Sequence, residues 1–223
     1  MSRIGKSAVW LAWPAASALL LGSPGVRAAS ITPYAAWTIE STDNVDRVPA
    51  NPRSDIVHHP VVGFDVDHQG GNFNASGTLR AEHYRYTQTD TESETYYNAS
   101  GAANWQLWRQ LLDWTLEDYA AMRPIDRTLP NSPANREQRN IFITGPSAHL
   151  RLNPANQLEL RARYGNFYYQ RSDIDNHRYY GSVLLTHQVS AITTVVGEYS
   201  TTDTDFRSAL YADYLRHDVR LGL

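Results

Sequence analysis

The chain has 223 residues with 20 Lys and Arg against 23 Asp and Glu. Its length allows one or two domains, and its near-neutral charge implies no polyanion-binding tract. It has no cysteine, which excludes a disulfide framework and a thiolate metal site.

Residues 1–28 read as a secretory signal. Arg3 and Lys6 give a basic start, Ala8 to Leu21 an apolar core, and Val26-Arg27-Ala28 a small-residue cleavage site. The apolar run is short for the ~20 residues of a spanning helix and carries Pro14. No long apolar segment follows it, so the chain is expected to be exported and any membrane span to be made of strands.

Ile31 to Ser41 is the first candidate strand, with Ile31, Ala35, Trp37 and Ile39 on one face. A polar connection with two prolines leads to the second, Asp55 to His68, where Ile56, Pro60, Val62, Phe64 and Val66 share a parity. The pair His58-His59 carries no metal site, because adjacent strand residues face opposite ways. Gly70-Gly71 supplies a tight turn.

Asn72 to Trp108 then reads as a hairpin. In its first arm Phe73, Ala75, Gly77, Leu79 and Ala81 alternate with Asn74, Ser76, Thr78, Arg80 and Glu82. In the second, Tyr97, Ala99, Gly101, Ala103 and Trp105 alternate with polar residues. Side chains in a strand have period two, so each arm has one apolar and one polar face. Tyr97 and Trp105 lie roughly 26 Å apart along a strand at about 3.3 Å per residue. Tilted, that matches the band between the aromatic girdles of outer-membrane barrels. The buried face of a soluble sandwich is richer in Val, Ile and Leu. The two Asn-Ala-Ser sequons, at Asn74 and Asn98, fall within these strands and read as chance matches.

The fifth strand, Leu111 to Met122, sets Leu112, Trp114, Leu116, Ala120 and Met122 against Asp113, Thr115, Glu117 and Tyr119. Asp118 falls on the apolar parity, which calls for a bulge or a place near the headgroups. A proline-rich loop to Asn140 precedes strand six, Ile141 to Asn153. Strand seven sets Leu158, Leu160, Ala162 and Tyr164 against Glu159, Arg161 and Arg163. A polar loop over 171–177 precedes strand eight, Arg178 to Gln188. Strand nine, Ala191 to Tyr199, has no assignable facing. The segment Thr201–Asp205 reads as a loop, and strand ten runs from about Arg207 to the end.

Long polar loops thus alternate with tight turns, as in outer-membrane barrels, and no helical period competes. The expectation is an all-β, antiparallel up-and-down transmembrane β-barrel of about ten strands over residues 29–223, or the N-terminal part of a larger barrel.

Ile31-Thr32-Pro33, Asp43-Asn44-Val45, Ser54-Asp55 and Pro60 resemble the start of the exosortase (PEP-CTERM) system-associated outer-membrane proteins. The stretch Phe142 to Arg151, with Pro146 inside a strand, is similar to that group too. These are similar to barrel proteins encoded in exopolysaccharide operons and are often longer than this chain. The resemblance implies an envelope role linked to extracellular polysaccharide and carries over no catalytic residue.

Candidate lumen-lining residues are Arg80, Glu82, Asp113, Glu117, Glu159, Arg161 and Arg163. They fit a salt-bridged filling or a conducting lining, since about eight strands already close a barrel that side chains can fill. Asp173, Asp175 and His177 cluster in one loop and could serve acid–base work or calcium, but the full calcium-loop pattern is missing. Tyr84, Tyr86, Phe167, Tyr168 and Tyr169 read as an aromatic girdle or as sugar-stacking rings.

The reading is a non-enzymatic outer-membrane barrel supporting exopolysaccharide secretion or surface assembly, with no catalytic residue, metal or cofactor. Its expected partners are outer-membrane lipid, polysaccharide and export machinery, and no nucleic acid. Two alternatives stay open: a small barrel enzyme acting on lipid, peptide or glycan, and a periplasmic carbohydrate-binding β-sandwich.

Overall fold

The computed structural model describes residues 29–223; the expected signal segment, residues 1–28, lies outside the described residues. Ten strands follow one another: β1 Ser30–Thr42, β2 Asp55–Gln69, β3 Phe73–Tyr86, β4 Glu94–Trp108 and β5 Leu112–Pro124. Then come β6 Arg136–Asn153, β7 Asn156–Tyr169, β8 Asn176–Gln188, β9 Thr194–Phe206 and β10 Tyr214–Gly222. They form one antiparallel sheet in sequence order. Within the described residues β1 pairs with β2 and β10 with β9, leaving two edges and an open sheet.

Alternation within each strand and the register between strands build the two faces together. Paired residues share a face, so Ala35, Val62, Ala81 and Tyr97 make one continuous row across β1 to β4. The neighbouring row on the other face runs Asp65, Thr78, Ser100, Tyr119 and Ile141. A one-residue slip in any strand would break both rows.

Burial is inverted relative to a water-soluble fold. Trp37 is 70% exposed, Val219 74% and Leu221 81%, whereas the fully buried side chains include Gln138, Glu137, Thr204 and Asp55. The buried apolar cluster is small, Val45, Val57 and Tyr86 with Tyr84 beside them. The strands form one layer, so the paired sheets of a sandwich are absent from the described residues.

Turns at one end are short. Gly70 N donates to Phe73 O at 2.9 Å, Gln110 takes a φ of 60°, and Asn153 Oδ1 accepts from Ala155 N and Asn156 N. Loops at the other end are longer, over 43–54, 87–93, 125–135, 170–175 and 207–213.

Several strand limits differ from the sequence expectation. β6 begins at Arg136, inside the expected proline-rich loop, after a 3-10 turn at Pro133–Asn135. Thr201–Asp205, expected as a loop, lies in β9, where Thr202 pairs with Tyr180 and Thr204 with Arg178. β-branched Thr suits the pleat, and a polar face hides strand character when apolar alternation is the signal. His177 lies within β8, which opens at Asn176, rather than ending a loop, and β10 begins at Tyr214, after a turn in which Asp213 accepts from Phe206 N at 2.8 Å.

No bulge relieves Asp118. The ladder runs unbroken through Gly101–Asp118 and Asp118–Phe142, and the Asn140 amide donates to its carboxylate at 2.7 Å. A hydrogen-bond partner from the next strand takes the place of a backbone distortion. Gly145, at φ 155°, brings β6 so close to β7 that a Cβ would lie 2.1 Å from the Ala162 carbonyl oxygen. Only glycine fits there.

Candidate functional site

The polar face carries the candidate residues, and each is tied to its strand neighbours. Arg80 donates to Asp65 at 2.7 Å and to the Phe64 carbonyl at 2.9 Å, with its guanidinium 4.5 Å from the Tyr34 ring centre. Glu82 is engaged from three sides: by His59 Nε2 at 3.1 Å, the Asn98 amide at 2.5 Å and the Tyr84 hydroxyl at 3.3 Å. A carboxylate so engaged orients its neighbours.

Lower on the face, Asp113 accepts from Asn104 at 3.0 Å and meets His149 Nε2 at 2.6 Å. The other ring nitrogen of His149 lies 4.0 Å from Glu159, which also pairs with Arg161. Arg163 is held by neutral oxygens, the Pro146 carbonyl at 2.5 Å and Ser147 Oγ at 2.7 Å. Glu117 lies beside the Tyr119 hydroxyl. The sequence-predicted lumen residues therefore share one face but form separate local groups.

The second candidate cluster divides. Asp173 is exposed, while Asp175 is buried and accepts from Tyr169 N at 2.7 Å, which fixes the end of β7. His177 pairs in register with Asn166 and Asp205, on the parity of the apolar rows. Its Nδ1 meets the Tyr164 hydroxyl at 2.7 Å, and its Nε2 accepts from Arg207 Nε at 3.2 Å. Both ring nitrogens are thus engaged. Among the described residues no group of three or more His, Asp or Glu side chains is arranged to hold a metal ion.

The aromatic candidates also divide. Tyr84 stacks on His59 at 4.1 Å, Tyr86 is buried, and Tyr169 lies under Arg123 at 4.6 Å. Phe167 lies under Arg178 at 4.0 Å, while Tyr168 pairs with Asn140 on the opposite parity. His58 lies near Trp37 and His59 near Tyr84, on opposite faces.

Sequence reasoning missed the polar side chains that hold the loop end together. Asp55, 1% exposed, accepts from Thr87 N, Gln88 N and Thr89 N and from Thr89 Oγ1 at 2.5 Å, organising the β3–β4 loop. Glu137, wholly buried, receives Arg123, Ser172 Oγ and the backbone of Arg171 and Ser172. Parity also fails there. Arg136 is in register with Pro124, yet it lies 5.0 Å over Tyr84, which belongs to the polar face. β4–β5 pairing ends at Ala99–Ala120, so the upper part of β5 no longer separates β6 from β4. The one available signal was the polar run Arg136-Glu137-Gln138, which looked like loop.

Comparison with protein-family models, curated proteins and solved structures finds no match in any of the three.

Proposed function

We propose that the chain is a non-enzymatic outer-membrane β-barrel that supports secretion or surface assembly of an exopolysaccharide, in keeping with its resemblance to the exosortase-associated outer-membrane proteins. The observation carrying this reading is the exposed apolar face. Ile31, Trp37, Val62, Trp105, Val183 and Val219, on strands from one edge to the other, point away from the ion pairs of the polar face. In water so large an apolar surface would drive association; against lipid it is the solvated face.

A bilayer leaves no water for unpaired strand edges, so the reading requires β1 and β10 to be paired. Pairing them with each other keeps both faces continuous, because the apolar parity of β1 (Ile39, Trp37) meets that of β10 (His217, Val219). Engagement of Asp113 and Glu82 on the polar face, and of His177 on the other, by neighbouring side chains supports a wall rather than a reaction centre.

Cell fractionation tests localisation: the full chain should enter the outer-membrane fraction and leave it only with detergent. Deletion should impair export or surface retention of the polymer, with its chemical structure unchanged. The triple variant Asp173→Asn, Asp175→Asn, His177→Ala should display polymer near normally if the barrel assembles. A triple variant that assembles yet reproduces the deletion would replace this reading with an enzyme.

A further inference from the structure

The register gathers arginines that the sequence scatters. Along the polar face beside β7, Arg151 stands opposite Gln157, Arg161 opposite Ser147 and Ser182, and Arg163 opposite Tyr180. Arg178 then stands opposite Gly165, and Arg139 opposite Tyr169. From the level of Gln157 to that of Tyr169 the five form a ladder of roughly 40 Å at about 3.3 Å per residue. It reaches from the turn end of the sheet to the loop end.

Most of this charge is met by neutral partners. Arg163 bonds to the Pro146 carbonyl and Ser147, and Arg178 bonds to Asn176 at 3.0 Å and stacks on Phe167. Arg139 Nε is buried with no hydrogen-bond partner. The carboxylates on this parity of β6 to β8 are Glu137 and Glu159; Glu137 is taken by Arg123 and Ser172, and Glu159 by Arg161. The other half of the polar face is acidic, with Asp65, Asp67, Glu82, Asp113 and Glu117 on β2 to β5 against Arg80 and Arg123. The charges therefore fall into a basic half and an acidic half that meet at β5 and β6, where Arg163 reaches Thr115 close to Asp113 and Glu117.

We propose that this ladder is the binding track for an acidic saccharide chain, one carrying carboxylates along its length; the inference rests on the barrel reading above and names its ligand class. A planar guanidinium matches a carboxylate in two-point geometry, and sites repeated along the path hold a polymer without trapping it at one point. The acidic wall repels the same polymer and keeps it on β6 to β8.

The test uses the full chain folded in detergent micelles, titrated with an oligogalacturonate and with a neutral malto-oligosaccharide of equal length. The charged oligomer should bind, weaken as salt is raised, and lose about tenfold in affinity in Arg151→Gln/Arg161→Gln. Arg109→Gln, which removes one charge at an exposed turn as Arg151→Gln does on the ladder, should bind as the parent does. If the double variant misfolds, Arg151→Gln alone, at an exposed position, should weaken binding in the same direction. Equal binding of both oligomers, no binding to a folded chain, or equal behaviour of the ladder and turn variants would overturn the ladder. A chain that stays in the aqueous fraction overturns the barrel instead, and the same titration without detergent still decides whether the ladder binds.

Discussion

The Gln138 side chain binds both backbone groups of Tyr97. Its Nε2 donates to the Tyr97 carbonyl at 2.8 Å, and its Oε1 accepts from the Tyr97 N–H at 2.8 Å. One amide on β6 thus completes the edge of β4 where β5 has separated from it. Gln138→Leu removes both bonds at a part-buried place and should cost about 1–3 kcal/mol. Urea unfolding in detergent measures this, and an unchanged midpoint would mean that water replaces the amide.

Facing in β5 is open to a paired test. Leu116 lies in register with Ala103 and Thr144, and Thr115 with Asn104 and Gly145. In the proposed barrel, Leu116→Arg should lower stability by roughly 2–4 kcal/mol, the cost of a cation at mid-depth on a lipid face. Thr115→Arg should be better tolerated in a folding assay. The reverse order would exchange the two faces.

Asn140 donates to Asp118 at 2.7 Å, beside Gly101 and Phe142. Asn140→Leu should therefore destabilise the protein more than Asp118→Leu/Asn140→Leu does, because the single change removes a donor from a carboxylate in an apolar band. Thermal unfolding of the two variants decides; equal midpoints would show that Asp118 does not rely on this amide.

Closure of the sheet has its own readout because the chain has no cysteine. Setting Glu40 opposite Arg216 pairs opposite charges and places Ile39 opposite His217, which keeps the apolar parity. Ile39→Cys/His217→Cys should form an intramolecular disulfide in the assembled protein, seen as a shift on a non-reducing gel. Cross-linked dimers would mean that a second copy pairs these edges; no cross-link in an assembled barrel would reject this register.

One loop contact should respond to acid. Arg53 joins Asp46 (2.6 and 2.9 Å) and Asp90, linking the β1–β2 and β3–β4 loops. Its hydrogen bond holds the Asp46 carboxyl below the usual range. With the folded pKa depressed, this stabilisation is present above the unfolded value near 3.9 and is lost as pH falls through the lower folded value. An acid-active protease should cut the 43–53 loop faster as pH falls through that window, and Arg53→Gln should be cut fast even above it. A flat profile in the parent protein would show that the loop does not depend on the pair.

Strand number, the alternation of β3, β4, β5 and β7, and the division into short turns and long loops were legible in the sequence. A period of two acts locally: Phe73 to Ala81 declares one face wherever the strand ends up. Strands with little apolar alternation were not legible, which is why Thr201–Asp205 read as loop and β6 lost its first residues. Register was also beyond reach, because it belongs to pairs of strands and no single stretch contains it. Only the tertiary structure set Asn140 beside Asp118, placed Gln138 against Tyr97 where β5 departs, and lined up Arg139, Arg151, Arg161, Arg163 and Arg178. Total charge carried no information on arrangement, because a sum over the chain averages out charges that antiparallel pairing places on different strands.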